Sequence, residues 1–234
     1  MSRSSLSVPV FRLKREARRL SRAEQIPLAQ ALDRIARAEG FRTWGHLSAS
    51  LTPPDARWLL ERLEPGELVV LAARPGHGKT MLALALAAEA ARARRDAGVF
   101  SLVETAEQLS SLLEEVGARG VPVLLDASDT ISAAYLCEHL ANAKRGSVVV
   151  VDYLQLLDQD RRHPPLAEQL SALHSFAKRT GVIFVLLAQI DRRFEAASLE
   201  LPSRADLRLP NPVDVSLISR WVFLHEGRLA LEPA

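Results

Sequence analysis

Residues 73–80 read Ala-Arg-Pro-Gly-His-Gly-Lys-Thr, a run holding the residue types that wrap and neutralise phosphate. Glycines allow backbone N–H groups to turn inward. A helix N-terminus behind them adds further donors, and the Lys79 ammonium can reach the outer phosphates of a nucleoside triphosphate. Thr80 would offer its hydroxyl to Mg²⁺, and Arg74, Pro75, Gly76, His77 and Gly78 would form the cradle. The general pattern opens with Gly, and here that position is Ala73. A Gly-Lys-Thr turn without a ligand is the bland alternative; a strand before it and a helix after it argue for the phosphate loop. Two further residues belong to the same chemistry. Asp152 ends the apolar run Val-Val-Val-Val-Asp and could hold Mg²⁺ through water beside Thr80. Gln189 ends the apolar run over 182–188, where it would either face the γ-phosphate and its attacking water or serve as a hydrogen-bonded strand-end amide.

The elements that must position these residues are legible as alternating patterns. Apolar runs at 68–72, 99–103, 121–125, 148–151, 182–187 and 221–224 predict strands. Periodic stretches at 81–95, 106–116, 131–143 and 166–179 predict helices between them. Continuous rather than alternating apolar strands suit a parallel sheet buried on both faces, so the expected class is α/β, a mostly parallel sheet flanked by helices. A last hairpin is expected between 221–224 and 229–231, turning at Glu226-Gly227.

Residues 11–50 read as a separate helical unit. Leu13, Ala17 and Leu20 share one face; Leu28, Ala31, Leu32 and Ile35 make a second stripe, with Gly40 as its stop. Phe41, Trp44 and Leu47 look like anchors of a following turn, and Thr52-Pro-Pro-Asp55 like a linker. The division expected is therefore a basic helical segment, 1–55, and a nucleotide-binding domain, 56–234. Charge supports it: residues 1–50 carry ten basic and four acidic side chains, a net of +6 in a chain whose total is +2. Such a segment is either a nucleic-acid-binding or partner-docking appendage, or an ordinary solvated helix face.

Composition excludes several classes. No apolar run approaches the roughly 18 residues of a membrane span, and the N-terminus has no apolar signal core. Cys137 alone cannot form an internal disulfide, which fits a cytoplasmic setting, and it reads as a small buried residue. The six histidines do not cluster at metal-ligand spacing.

Taken together, Ala-Ala-Arg-Pro-Gly-His-Gly-Lys-Thr at 72–80, Val-Phe-Ser-Leu at 99–102, Val-Asp-Tyr-Leu-Gln-Leu-Leu at 151–157, Leu-Ala-Gln-Ile-Asp-Arg at 187–192 and Arg-Ala-Asp-Leu-Arg at 204–208 resemble the motor domain of DnaB-type replicative helicases. The likeness spans roughly residues 65–225. It implies a RecA-like fold, Mg²⁺ and ATP as cofactors, single-stranded DNA as partner, and assembly into a ring or with a partner subunit. It also implies that Lys79 neutralises β/γ-phosphate charge, Thr80 and Asp152 organise the metal, and Gln189 senses the γ-phosphate. Arg192 and Arg193 stand where RecA-like proteins put DNA-contacting loops.

Departures from the family pattern shape the expected activity. Where the family has a Glu that activates the attacking water, this chain has Val103, and the nearest carboxylate is Glu104. A one-residue shift on a strand turns a side chain to the other face, so Glu104 serves as base only if the strand has already ended. Acidic residues expected after Asp206-Leu207-Arg208 are replaced by Leu-Pro-Asn-Pro-Val-Asp-Val. The basic segment that carries the family's arginine finger beyond 221–226 is absent or reduced to Arg228, which implies slow hydrolysis. The family's N-terminal helical domain and linker are replaced by the basic segment 11–50. Two rival readings remain at this point: a nucleotide-gated DNA- or protein-binding switch, and a recombinase-like or clock-like relative that assembles on ATP without translocating.

Overall fold

The structure, a computed structural model, describes residues 10–45, 47, 56–152, 154, 164–191, 194, 202–207, 214–225 and 227–233. Thr52–Asp55, Tyr153, the Gln-Leu-Leu at 155–157, Arg192, Arg193, Arg208 and the run 209–213, all singled out above, lie outside the described residues.

Seven strands form one sheet: β1 Leu68–Ala73, β2 Ala97–Ser101, β3 Leu124–Asp126, β4 Val148–Asp152, β5 Ile183–Gln189, β6 Arg220–His225 and β7 Arg228–Pro233. The order is β3-β2-β4-β5-β1-β6-β7, parallel except for the β6–β7 hairpin. The expected class is the observed one. Every residue of β1 and β4 is buried, because helices cover both sides of the sheet. On one side lie α3 (Ala56–Leu60), α4 (Lys79–Arg92) and α5 (Ala106–Glu115), packed on Val69, Leu71, Val148, Val150 and Val185. On the other lie α6 (Ala133–His139) and α7 (Leu166–Thr180), packed on Val70, Phe100, Val149, Phe184 and Trp221.

Sequence-based element ends shift where local hydrogen bonding intervenes. The strand expected over 121–125 shrinks to Leu124–Asp126. Pro122 has no N–H to give a ladder, and Val121 and Val123 close tight turns instead. The helix expected over 81–95 starts at Lys79, directly behind a left-handed Gly78, and ends before Arg94, which is also left-handed. The helix expected over 131–143 begins after Ser132, whose hydroxyl accepts from the Tyr135 N–H, and has ended by Leu140.

The N-terminal pair, α1 (Val10–Glu24) and α2 (Leu28–Ala38), builds a small core of its own from Leu13, Ala17, Ala31, Ile35, Ala36 and Leu47. Leu20, Leu32, Phe41 and Trp44 pack against it, and the Trp44 N–H donates to Asp33 at 2.8 Å. One stripe residue departs from expectation. Leu28 opens α2 at the tip of the hairpin, where α1 has already ended, and is exposed rather than buried. Cys137, expected buried, is half-buried on α6, and burial raises its thiol pKa. Among the described residues no helix is long and apolar enough to cross a membrane.

Candidate nucleotide site

β1 runs between β5 and β6 and delivers its last residue, Ala73, beside Gln189 on one flank and Leu224 on the other. Ala73 is fully buried and still in the strand. No left-handed backbone is needed there, so an Ala serves where the general pattern has Gly. The bend comes later, at Gly76 (φ 83°) and Gly78 (φ 88°). Both hold a left-handed conformation that favours glycine, and a Cβ on Gly78 would meet nothing within 4 Å. Backbone conformation, not crowding, is therefore what requires glycine at 78. The loop is tied down by the His77 N–H donating to the Arg74 carbonyl (3.2 Å) and by the Arg74 guanidinium donating to the Ile190 carbonyl (3.0 Å). Pro75 and Gly76 are exposed on the loop's outer side.

α4 is the crossover from β1 to β2, and it must pass over β5 and β4 to get there. Its first turn therefore lies close to the end of β4. The Lys79 Nζ sits 3.1 Å from one carboxylate oxygen of Asp152, and the Thr80 hydroxyl donates to the other at 3.0 Å. Both ends of the ion pair are nearly enclosed, with side chains 11% and 5% exposed. Burial lowers the Lys79 pKa below its ordinary value, and the charge and hydrogen bond of Asp152 only partly offset this. The arrangement gathers an ammonium, a hydroxyl and a carboxylate at the carboxyl end of a parallel sheet, where open α/β sheets bind ligands. Thr80 and Asp152 supply hard oxygen donors of the kind Mg²⁺ takes in company with phosphate oxygens.

β2 approaches from the far side of β4, with Ser101 as the register partner of Asp152. The strand ends at Ser101. Its buried hydroxyl accepts from the N–H groups of Val103 (3.1 Å) and Glu104 (2.9 Å), and the Leu102 N–H donates to the Asp152 carbonyl at 2.7 Å. This serine turn removes the strand alternation on which the one-residue shift depended. Val103 points to solvent, and Glu104 is half-buried just before the Thr105–Gln108 capping box of α5. Gln189 is half-buried at the end of β5, next to Ala73, and Arg228 lies across the β6–β7 hairpin from His225.

Sequence reasoning missed two neighbours of the loop. The His77 ring stacks on His225 at 4.8 Å, and Phe194 meets His225 edge-on at 5.0 Å. The His225 Nδ1 is buried and has no hydrogen-bond partner among the described residues. The only signal for this contact was that His225 closes a strand pairing with β1; which strand would lie beside the loop was not legible.

A family profile described as an AAA domain matches residues 35–193. The chain belongs to this AAA domain family. Among its curated relatives, the replicative DNA helicase DnaB of Synechocystis sp. is 26% identical over 181 residues, covering 62% of this chain and 21% of the relative. DnaB of Mycoplasma genitalium is 25% identical over 184 residues, covering 62% of this chain and 39% of the relative. The chain thus spans well under half the length of either protein. The solved ATPase domain of the protein G40P superposes with a TM-score of 0.58 at 20% identity, covering 70% of each chain, a likeness that carries the fold. The expected resemblance to the RecA-like ATPase domain of DnaB-type helicases holds for this AAA-domain chain.

Proposed function

We propose that this chain is an ATP-binding and ATP-hydrolysing DnaB-like protein that acts on single-stranded DNA. The observation that carries this reading is the enclosed Lys79–Asp152–Thr80 constellation directly behind the glycine loop. In this proposal residues 74–80 cradle the triphosphate, and Lys79 exchanges its carboxylate partner for the β/γ-phosphates. Asp152 and Thr80 then hold Mg²⁺, whose bound form neutralises charge on the transferred phosphoryl group. Gln189 orients the γ-phosphate or the attacking water. Glu104, released from strand geometry by the Ser101 turn, is the general base. Residues 56–234 form the ATPase domain and 1–55 a basic appendage. Assembly into a ring, or with a partner subunit that brings an arginine, belongs to the same proposal.

One observation favours a second reading. Val103 stands exposed at the position of the family's catalytic Glu, which suits a nucleotide-gated DNA- or protein-binding switch with little hydrolysis. Steady-state ATP hydrolysis with and without single-stranded DNA separates the two, with Lys79→Ala as the blank. DNA-stimulated turnover that disappears in the blank and falls sharply in Glu104→Ala supports the motor reading. Tight ATP binding with turnover no greater than the blank overturns it in favour of the switch.

A further inference from the structure

The outward face of α1 carries Lys14, Arg15, Arg18, Arg19 and Arg22. At 100° per residue these five cations fall within an arc of about 140°, opposite the Leu13, Ala17 and Leu20 stripe that faces α2. The four arginines are exposed and Lys14 is half-buried. Among the described residues none of the five is ion-paired. Glu24 pairs with Arg34 and Asp33 accepts from the Trp44 N–H, while Glu16 stands exposed on α1 outside the cationic arc. Lys14–Arg18, Arg15–Arg19 and Arg18–Arg22 are like-charge pairs four residues apart, each of which weakens an isolated helix. A row that repels itself in this way gains when a polyanion neutralises it.

We infer that the α1 face docks on the phosphate backbone of duplex DNA, without reading its sequence. Several features of the hairpin select this occupant. Lys14 to Arg22 spans about 12 Å along the helix. Over that length a duplex presents about seven phosphate charges, one per 1.7 Å of axis, twice what one strand presents. Single-strand binding relies on aromatic platforms that stack bases. Of the hairpin's aromatic residues with described side chains, Phe41 and Trp44 both pack against its core. Insertion into an anionic membrane would need the apolar side of α1, and that side is covered by α2. The surface is separate from the nucleotide site, and the inference stands whether or not that site hydrolyses ATP.

The test is fluorescence anisotropy of a short labelled duplex against the full chain, titrated across roughly 50 to 200 mM salt. The wild type is compared with the quadruple variant R15Q/R18Q/R19Q/R22Q. Gln is close to Arg in helix propensity, so circular dichroism should show α1 retained. The expected result is more than a tenfold loss of duplex affinity in the variant. The log–log salt slope should shrink by about 0.9 for each phosphate contact removed. The matching Lys variant, R15K/R18K/R19K/R22K, should keep the slope. If the quadruple variant loses helix, R18Q and R22Q alone are read instead, each lowering the slope by about 0.9. Unchanged duplex binding in the Gln variants, a larger loss of single-strand than of duplex binding in those variants, or binding of polyglutamate in place of duplex would each overturn the inference. Lys79→Ala should abolish turnover yet leave duplex binding intact, so failure here is distinguishable from failure of the ATPase reading.

Discussion

In the N-terminal hairpin, Arg15, Arg18, Arg19 and Arg22 stand in solvent around a core of Leu13, Ala17, Ala31 and Ile35. At the glycine loop, Lys79 is folded inward against Asp152, with aliphatic strands beneath it. The same kind of charge thus meets two different solvents. On α1 the guanidinium groups keep their water, so the helix is only mildly penalised and the face stays available to an external anion. At Lys79 much of the water is gone. The ammonium meets the Asp152 carboxylate, which also accepts from the Thr80 hydroxyl, and its pKa falls despite that partner. A surface charge is set by what arrives from outside, a buried one by what the fold has put beside it.

The widest break between the regions should appear in stability. Phe184 is fully buried in the middle of the sheet, and Phe184→Ala should cost about 3–5 kcal/mol in denaturant unfolding, with loss of nucleotide binding at moderate temperature. Leu13→Ala acts on the smaller core and should cost about 2 kcal/mol, read as early melting of the hairpin while ATP affinity is unchanged. Loss of ATP affinity in Leu13→Ala would mean that the two regions are one cooperative unit.

The contrast in charge is sharpened by pH. Because the folded Lys79 pKa lies below the ordinary 10.5, the ligand-free folded state releases a proton that the unfolded chain keeps. Stability should therefore rise as pH climbs from the depressed value towards 10.5, by at most about 1.4 kcal/mol per pH unit. It should be flat below the depressed value. Comparing urea midpoints of wild type and Lys79→Met over that range isolates the effect, since the slope should be missing in the Met variant. The smallest effect concerns the turn that presents Glu104. Thr105→Ala removes the capping box of α5 and should cost about 1 kcal/mol, with a further fall in turnover if the placement of Glu104 depends on that helix start.

The loop and the strands were legible because their signals are local. Gly76 and Gly78 announce left-handed backbone, and a run such as Val148–Asp152 can only be a strand covered on both faces. The two stripes of the hairpin were legible for the same reason, except at Leu28, whose exposure depends on where α1 stops. Where residues compete for local hydrogen bonds, the reading slipped by a few positions. Pro122 shortened β3, Ser132 delayed α6, and Ser101 ended β2 two residues early.

Sequence by itself determined the α/β class, the candidate phosphate-binding residues Lys79 and Thr80, and the cationic face of α1, since all of these follow from spacing and residue type along a short stretch of chain. Tertiary structure alone decided that Asp152, 73 residues from Lys79, meets it at 3.1 Å. It also decided that His225 stacks on His77 and that Glu104 leaves its strand on a turn tied to the end of β4. Those contacts depend on strand order and on the path α4 takes across the sheet, and many strand orders are compatible with the same alternation of elements.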